Sequence, residues 1–184
     1  MPDHTSDASA SAPTGVGRRA VVRTGVWTVP AVAVAVAAPA MAAHSGATAK
    51  LRFDTFNVFG ADFNGAGKAT TLESQIQVEN EFVTGGPTLT TLSVSVTYPA
   101  GRVTGAAPTH VTGSGWGFAS ASQSGGVWRY TFTWSGTLAT SHSTSTLDYR
   151  VARTDTTSES VNLSAIAIAT GVTSATATAS TNLH

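Results

Sequence analysis

Between Gly126 and Gly136 the chain reads Gly-Val-Trp-Arg-Tyr-Thr-Phe-Thr-Trp-Ser-Gly. Trp128, Tyr130, Phe132 and Trp134 occupy every second position, and Arg129, Thr131 and Thr133 fill the gaps. Successive side chains of a β-strand point to opposite faces, so the four rings share one face and the other face is polar. Each ring buries about 150–250 Å² when enclosed, which makes this the central core strand of the chain.

The same alternation recurs on both sides of that strand. Leu51, Phe53 and Thr55 alternate with Arg52 and Asp54. Phe56 and Val58 then lie on the opposite parity, which predicts a bulge or a switch between sheets. Gly60–Lys68 reads as a loop. Ile76, Val78 and Phe82 share a face opposite Gln75, Gln77, Glu79 and Glu81, with Asn80 interrupting the inner side. After Gly85-Gly86-Pro87, Leu92, Val94, Val96 and Tyr98 define a further strand. Val103–Thr112 holds a short edge strand, consistent with Pro108, which lacks a ladder donor. Trp116 and Phe118 begin a strand toward Ser122, and Gln123–Gly126 turns it back into the aromatic strand as a hairpin. Leu138–Thr146 reads as a Ser/Thr loop, and Leu147, Tyr149 and Val151 face inward beyond it. Val161 and Leu163, followed by Ile166 and Ile168 after a change of parity, form the closing strand. Val172–Thr181 alternates Ala with Thr or Ser, as a weak last strand or a tail. About seven or eight short strands without a helical period predict an all-β antiparallel sandwich.

The first 43 residues break this pattern. A polar stretch leads to Arg18-Arg19 and Arg23, then an uncharged run from Thr24 to Ala43 that contains Ala40-Met41-Ala42. Basic segment, apolar segment and small-x-small site are the order of a signal peptide. The adjacent arginines resemble a twin-arginine export signal. Gly17 and Val21 stand where that signal usually has a hydroxyl residue and an aromatic, so Sec export stays open as the alternative. Retention as a membrane anchor is the other alternative, with the membrane touched only through an uncleaved leader. The run is Ala-rich and carries Pro30 and Pro39, whereas a span needs about 20 predominantly apolar residues. Residues 1–43 are therefore expected to be a signal peptide and 44–184 the sandwich domain. The mature protein is expected to be secreted or at the cell surface, with the export machinery as its first partner.

Composition narrows the function. Ten basic and ten acidic residues cancel, and only 11% of the chain is charged. A nucleic-acid partner needs a clustered positive surface, which this chain lacks. The absence of Cys removes disulfides and a lipid-modified Cys, and suits folding in a reducing cytosol before export. The polar segment Thr173–His184 offers no apolar tail as an anchor.

From Gly115-Trp116, through the Gly-Gly turn, Val127-Trp128-Arg129-Tyr130-Thr131-Phe132 and Gly136-Thr137-Leu138-Ala139, to Leu147-Asp148-Tyr149-Arg150-Val151, the order of features resembles the latter half of immunoglobulin-like domains of bacterial cell-envelope and secreted proteins. That resemblance implies an immunoglobulin-like sandwich acting as a stalk, spacer or adhesion module, and it carries no functional residues. Some Gram-positive surface domains of that kind hold a Lys–Asn isopeptide bond. Lys50 and Asn162 are the pair to consider, but Asn162 points opposite to Val161 and Leu163 and so outward.

Reactive chemistry is sparse. His110 and His142 sit in separate loops without ligand spacing. Gly113-Ser114-Gly115-Trp116-Gly117 is not a nucleophile elbow and precedes a strand rather than a helix. Gly65-Ala66-Gly67-Lys68 lacks the phosphate-loop register, and Asp62-Phe63-Asn64-Gly65 lacks the later acids of a calcium loop. Glu79 and Glu81 continue a polar stripe with Gln75 and Gln77. The expectation is a non-catalytic protein without cofactor or metal, with a structural, adhesion or binding role. The alternative is a carbohydrate- or wall-binding module, with cell-wall polysaccharide or another envelope protein as partner. Exposed aromatic rings would serve that role, and Trp116 is the ring placed to do so.

Overall fold

A computed structural model describes residues 48–183. The leader, including Arg18, Arg19, Ala40 and Ala42, lies outside the described residues. Alternation of apolar and polar residues builds ten strands and no helix among them: β1 Leu51–Phe63, β2 Ala69–Asn80, β3 Leu89–Pro99, β4 Thr109–Thr112, β5 Trp116–Ser124, β6 Val127–Leu138, β7 His142–Ser143, β8 Leu147–Ala152, β9 Glu159–Ile168 and β10 Ala175–Leu183. They form two antiparallel sheets, ordered β1-β2-β8-β4 with β7 also on β2, and β10-β9-β3-β6-β5. This is the expected antiparallel sandwich, with ten strands in place of about seven or eight.

The aromatic strand is β6, and its rings point inward. Tyr130 and Phe132 are fully buried and Trp134 is 7% exposed. Trp128 is half-buried beneath the 103–108 loop, where Gly105 has a positive φ and a Cβ would meet the indole at about 2 Å. The β6 sheet meets the β1 sheet through aromatic contacts. The Phe132 and Tyr149 ring centroids are 4.2 Å apart across the two sheets, and within the β6 sheet Tyr98 on β3 meets Tyr130 edge-on at 5.4 Å. A buried hydrogen-bond chain also crosses the core. The Ser74 hydroxyl lies 2.8 Å from the Tyr98 hydroxyl, which lies 2.8 Å from that of Tyr149. Burial pushes all three core phenols, Tyr98, Tyr130 and Tyr149, above the usual tyrosine value.

Local rules account for most boundaries. The β5–β6 turn is the two-residue pair Gly125-Gly126, both with φ near +60 to +77°, the geometry of a tight hairpin. The parity slip at Phe56 is real: the β1–β2 register shifts between Phe53 and Thr55. Lys50 and Thr173 make a parallel bridge that joins the two sheets at one side.

Four expectations require correction. β1 runs on to Phe63, and the loop shrinks to residues 64–68. Gly60 remains in the ladder because β1 and β2 approach closely there: a Cβ on it would lie 2.7 Å from that of Ala69. β2 stops at Asn80, so Phe82 leaves the inner face and is 70% exposed. Asn80 ends the strand because its buried amide donates to Pro87 O at 2.9 Å and Leu138 O at 3.2 Å. β9 keeps one parity throughout. Val161, Leu163, Ala165 and Ala167 are buried, while Ile168 is 52% exposed. The unbroken ladders with β3 and β10 hold that register, and a slip would turn every later side chain over. Finally, Ala175–Leu183 is a full strand, because nine consecutive pairings with β9 hold it in the sheet.

Candidate functional site

The two sheets present very different outer faces. On the β1 sheet, period two places Arg52, Asp54, Glu73, Gln75, Gln77, Glu79, Asp148 and Arg150 outward. Both arginines on this face are paired with acids. Arg52 Nε donates to Glu79 at 2.9 Å, and the same guanidinium also reaches Asp54 at 2.8 Å and Glu81 at 3.6 Å. Arg150 donates to Glu73 at 2.6 Å and Asp62 at 2.8 Å. Glu79 and Glu81 thus share one guanidinium and do not form an acid–base pair.

The outer face of the β6 sheet is mostly hydroxyl side chains, with Ile166, Ile168, Asn162 and Arg129 among them. Cross-strand pairing aligns them in rows. Thr178 pairs with Ser164, Ser164 with Thr97, Thr97 with Arg129 and Arg129 with Ser122, one residue from each of the five strands. A parallel row runs Thr176, Ile166, Ser95, Thr131 and Ser120. At about 4.8 Å between strands, each row spans about 19 Å. Two shallow grooves of about 480 and 460 Å³ share Thr97, Ser164 and Thr178 and together form one trough along β9. Pro99, Val127 and Asn162 line one end, and Arg129 and Ile166 the other. Arg129 is exposed and, among the described residues, is the only ionisable one pointing outward from this face.

Trp116 is half-buried, and its indole N–H donates to Ser145 O at 2.8 Å. Gly113 and Gly115 make room for this corner. A Cβ on Gly113 would lie 2.3 Å from Thr146 O and 2.9 Å from the Trp116 ring. Ser114 contributes its carbonyl, which accepts the Trp134 indole N–H at 3.1 Å and the Ser145 hydroxyl at 2.6 Å. Trp116 therefore pins β5 to the segment before β8.

The remaining candidates are dispersed. His110 and His142 are both exposed, and the His142 Nδ1–H donates to Thr140 O at 3.0 Å. Among the described residues, no three His, Asp or Glu side chains are grouped to hold a metal. Asn64 Oδ1 accepts the amides of Ala66 and Lys68, so the calcium-like stretch is an Asx turn. Lys68 donates to Ser158. Asn162 is exposed on β9, pointing away from the core as its parity requires.

The hydroxyl rows are the feature that reading along the chain missed. Their signal was present in Ser93-Val-Ser-Val-Thr97, Thr176-Ala-Thr-Ala-Ser180 and Asn162-Leu-Ser164, but each stretch reads alone as the solvent side of a strand.

No protein-family model and no curated protein matches this chain in sequence. Among solved structures, the fold is similar to that of the major pilin SpaA of Corynebacterium diphtheriae, at a TM-score of 0.45 and 9% identity. The match covers 64% of this chain and 32% of the pilin chain, so this chain corresponds to about a third of the pilin's length. The likeness concerns the fold alone.

Proposed function

We propose that this chain is an exported, non-catalytic β-sandwich module of the cell envelope or extracellular space, with a structural or adhesion role. The observation that carries this reading is the order of the first 43 residues: Arg18-Arg19, an uncharged Ala-rich run and Ala40-Met41-Ala42, set directly ahead of a domain that starts its first strand at Leu51. The domain suits folding before transport, since it closes a core of Tyr98, Tyr130, Phe132 and Tyr149 with no Cys in the chain. Among the described residues, Glu73, Glu79 and Glu159 hold arginines and His142 closes a turn, roles that serve the fold.

Fractionation of a producing culture tests this reading. The mature protein is expected outside the cytoplasm, with its N-terminus near Ala43 or His44. Conversion of Arg18 and Arg19 to Lys should hold the precursor inside if the twin-arginine route is used. A cytoplasmic protein that keeps Met1 would overturn the reading. A second reading, a carbohydrate- or wall-binding module, is favoured by the hydroxyl trough on the β6 sheet.

A further inference from the structure

We propose that the trough along β9, with Arg129 at one end, binds an extended acidic polysaccharide whose sugar units carry carboxylates. This rests on the envelope reading above and names the partner that such a module would hold. The first argument is charge. Among the described residues, Arg52, Arg102, Arg150 and Arg153 each sit beside a carboxylate, and Arg129 does not. Arg129 also has no acid to meet on its own face, where every other outward residue of the rows is uncharged. A planar guanidinium with free N–H groups binds a carboxylate through two parallel hydrogen bonds.

The second argument is the lattice of hydroxyls around it. Ser and Thr each donate one hydrogen bond and accept two, which matches the hydroxyls of a sugar chain. In the row Thr178, Ser164, Thr97, Arg129 and Ser122, a hydroxyl stands at four of the five strand crossings and the guanidinium at the fifth, about 4.8 Å apart. A stiff polymer laid across the strands meets several of these groups at once. Individually weak contacts then combine, because each one held raises the local concentration of the next.

The other occupants fit less well. A nucleic acid would need several clustered cations, and this face has one. A second copy laid face to face would bring in another Arg129 and no carboxylate, leaving two charges to be desolvated without partners. An extended peptide gains its main-chain hydrogen bonds along a sheet edge, whereas the trough lies on the outer face across β3, β9 and β10, where the main-chain groups of β3 and β9 are already paired on both sides.

Affinity electrophoresis of the purified protein through polygalacturonate, dextran or polyglutamate tests the proposal. Polygalacturonate should retard the protein, and added salt should weaken the effect. Arg129→Gln should lower that affinity about tenfold or more, with the melting temperature unchanged. The double substitution Thr97→Val and Ser164→Ala keeps the charge and should lower it several-fold. Dextran and polyglutamate should bind at least about tenfold more weakly, because each supplies only half of the matching chemistry. Failure to bind polygalacturonate, equal retardation by polyglutamate, or an Arg129→Gln variant that binds like the parent overturns the proposal. An extracytoplasmic protein indifferent to polygalacturonate defeats this inference and leaves the envelope reading intact. A cytoplasmic location defeats the envelope reading whichever polymer is bound.

Discussion

The outward faces of the two sheets share a geometry and differ in chemistry. On the β1 sheet, Arg52 pairs with Asp54 and Glu79 and Arg150 with Asp62 and Glu73, so both cations are satisfied by acids of the same face. On the β6 sheet, mostly Ser, Thr and Asn occupy the equivalent positions, and Arg129, the only cation there among the described residues, lacks a carboxylate. The contrast shows that a net charge of zero is no guide to where a neutral protein can bind. Paired ions hold strands together and offer little to a ligand. An unmatched guanidinium among hydroxyls contributes little to folding and remains available.

The shared core supports both faces, so its loss has the largest expected effect. Phe132→Ala removes the ring that meets Tyr149 at 4.2 Å. It should cost about 3–5 kcal/mol in denaturant unfolding and weaken both faces together. Persistence of one sheet's signal after loss of the other would mean that the sheets fold separately.

Alkali should act next, and through the same core. Burial raises the Tyr98 and Tyr149 phenols above the ordinary value of 10.0, so the unfolded chain releases those protons first as pH rises. Their contribution is complete below pH 10.0 and declines above it. Each phenol should remove up to about 1.4 kcal/mol per pH unit. Tyr149→Phe should make that alkaline slope shallower, as read from unfolding curves at successive pH values.

The smallest effect on stability is the one that separates the faces. Arg150→Met leaves Glu73 and Asp62 facing each other without their cation, and should lower the melting temperature by an amount that shrinks in high salt. Arg129→Gln should leave the melting temperature unchanged. A comparable loss in both variants would remove the distinction between a satisfied and an unsatisfied arginine.

Much of the sandwich was legible along the chain. Leu92, Val94, Val96 and Tyr98 are buried as their alternation requires, and so are Leu147, Tyr149 and Val151. The errors fall where local pattern and pairing disagree. Ile166 and Ile168 looked like core because they are large, yet the ladder with β3 keeps Ala165 and Ala167 inside. Phe82 looked like a continuation of β2, but Asn80 ties its amide to carbonyls of two other segments and the strand ends. Trp116 stands out in the sequence as a ring beside glycines. Its anchor, the Ser145 carbonyl, is 29 residues away and could not be read from the stretch itself.

The sequence by itself determined which side is wet for strands that alternate without a break, such as β3, β6 and β8, because side chains alternate with a period of two wherever the backbone is extended. It also determined that the core is aromatic, that no disulfide braces it, and that a leader-like segment comes first. Which strands lie side by side was decided only in three dimensions. Residues 178, 164, 97, 129 and 122 form one row because main-chain hydrogen bonds set the register between distant segments. Those bonds use the same N–H and C=O groups at every residue, so the row cannot be read from the identity of its members.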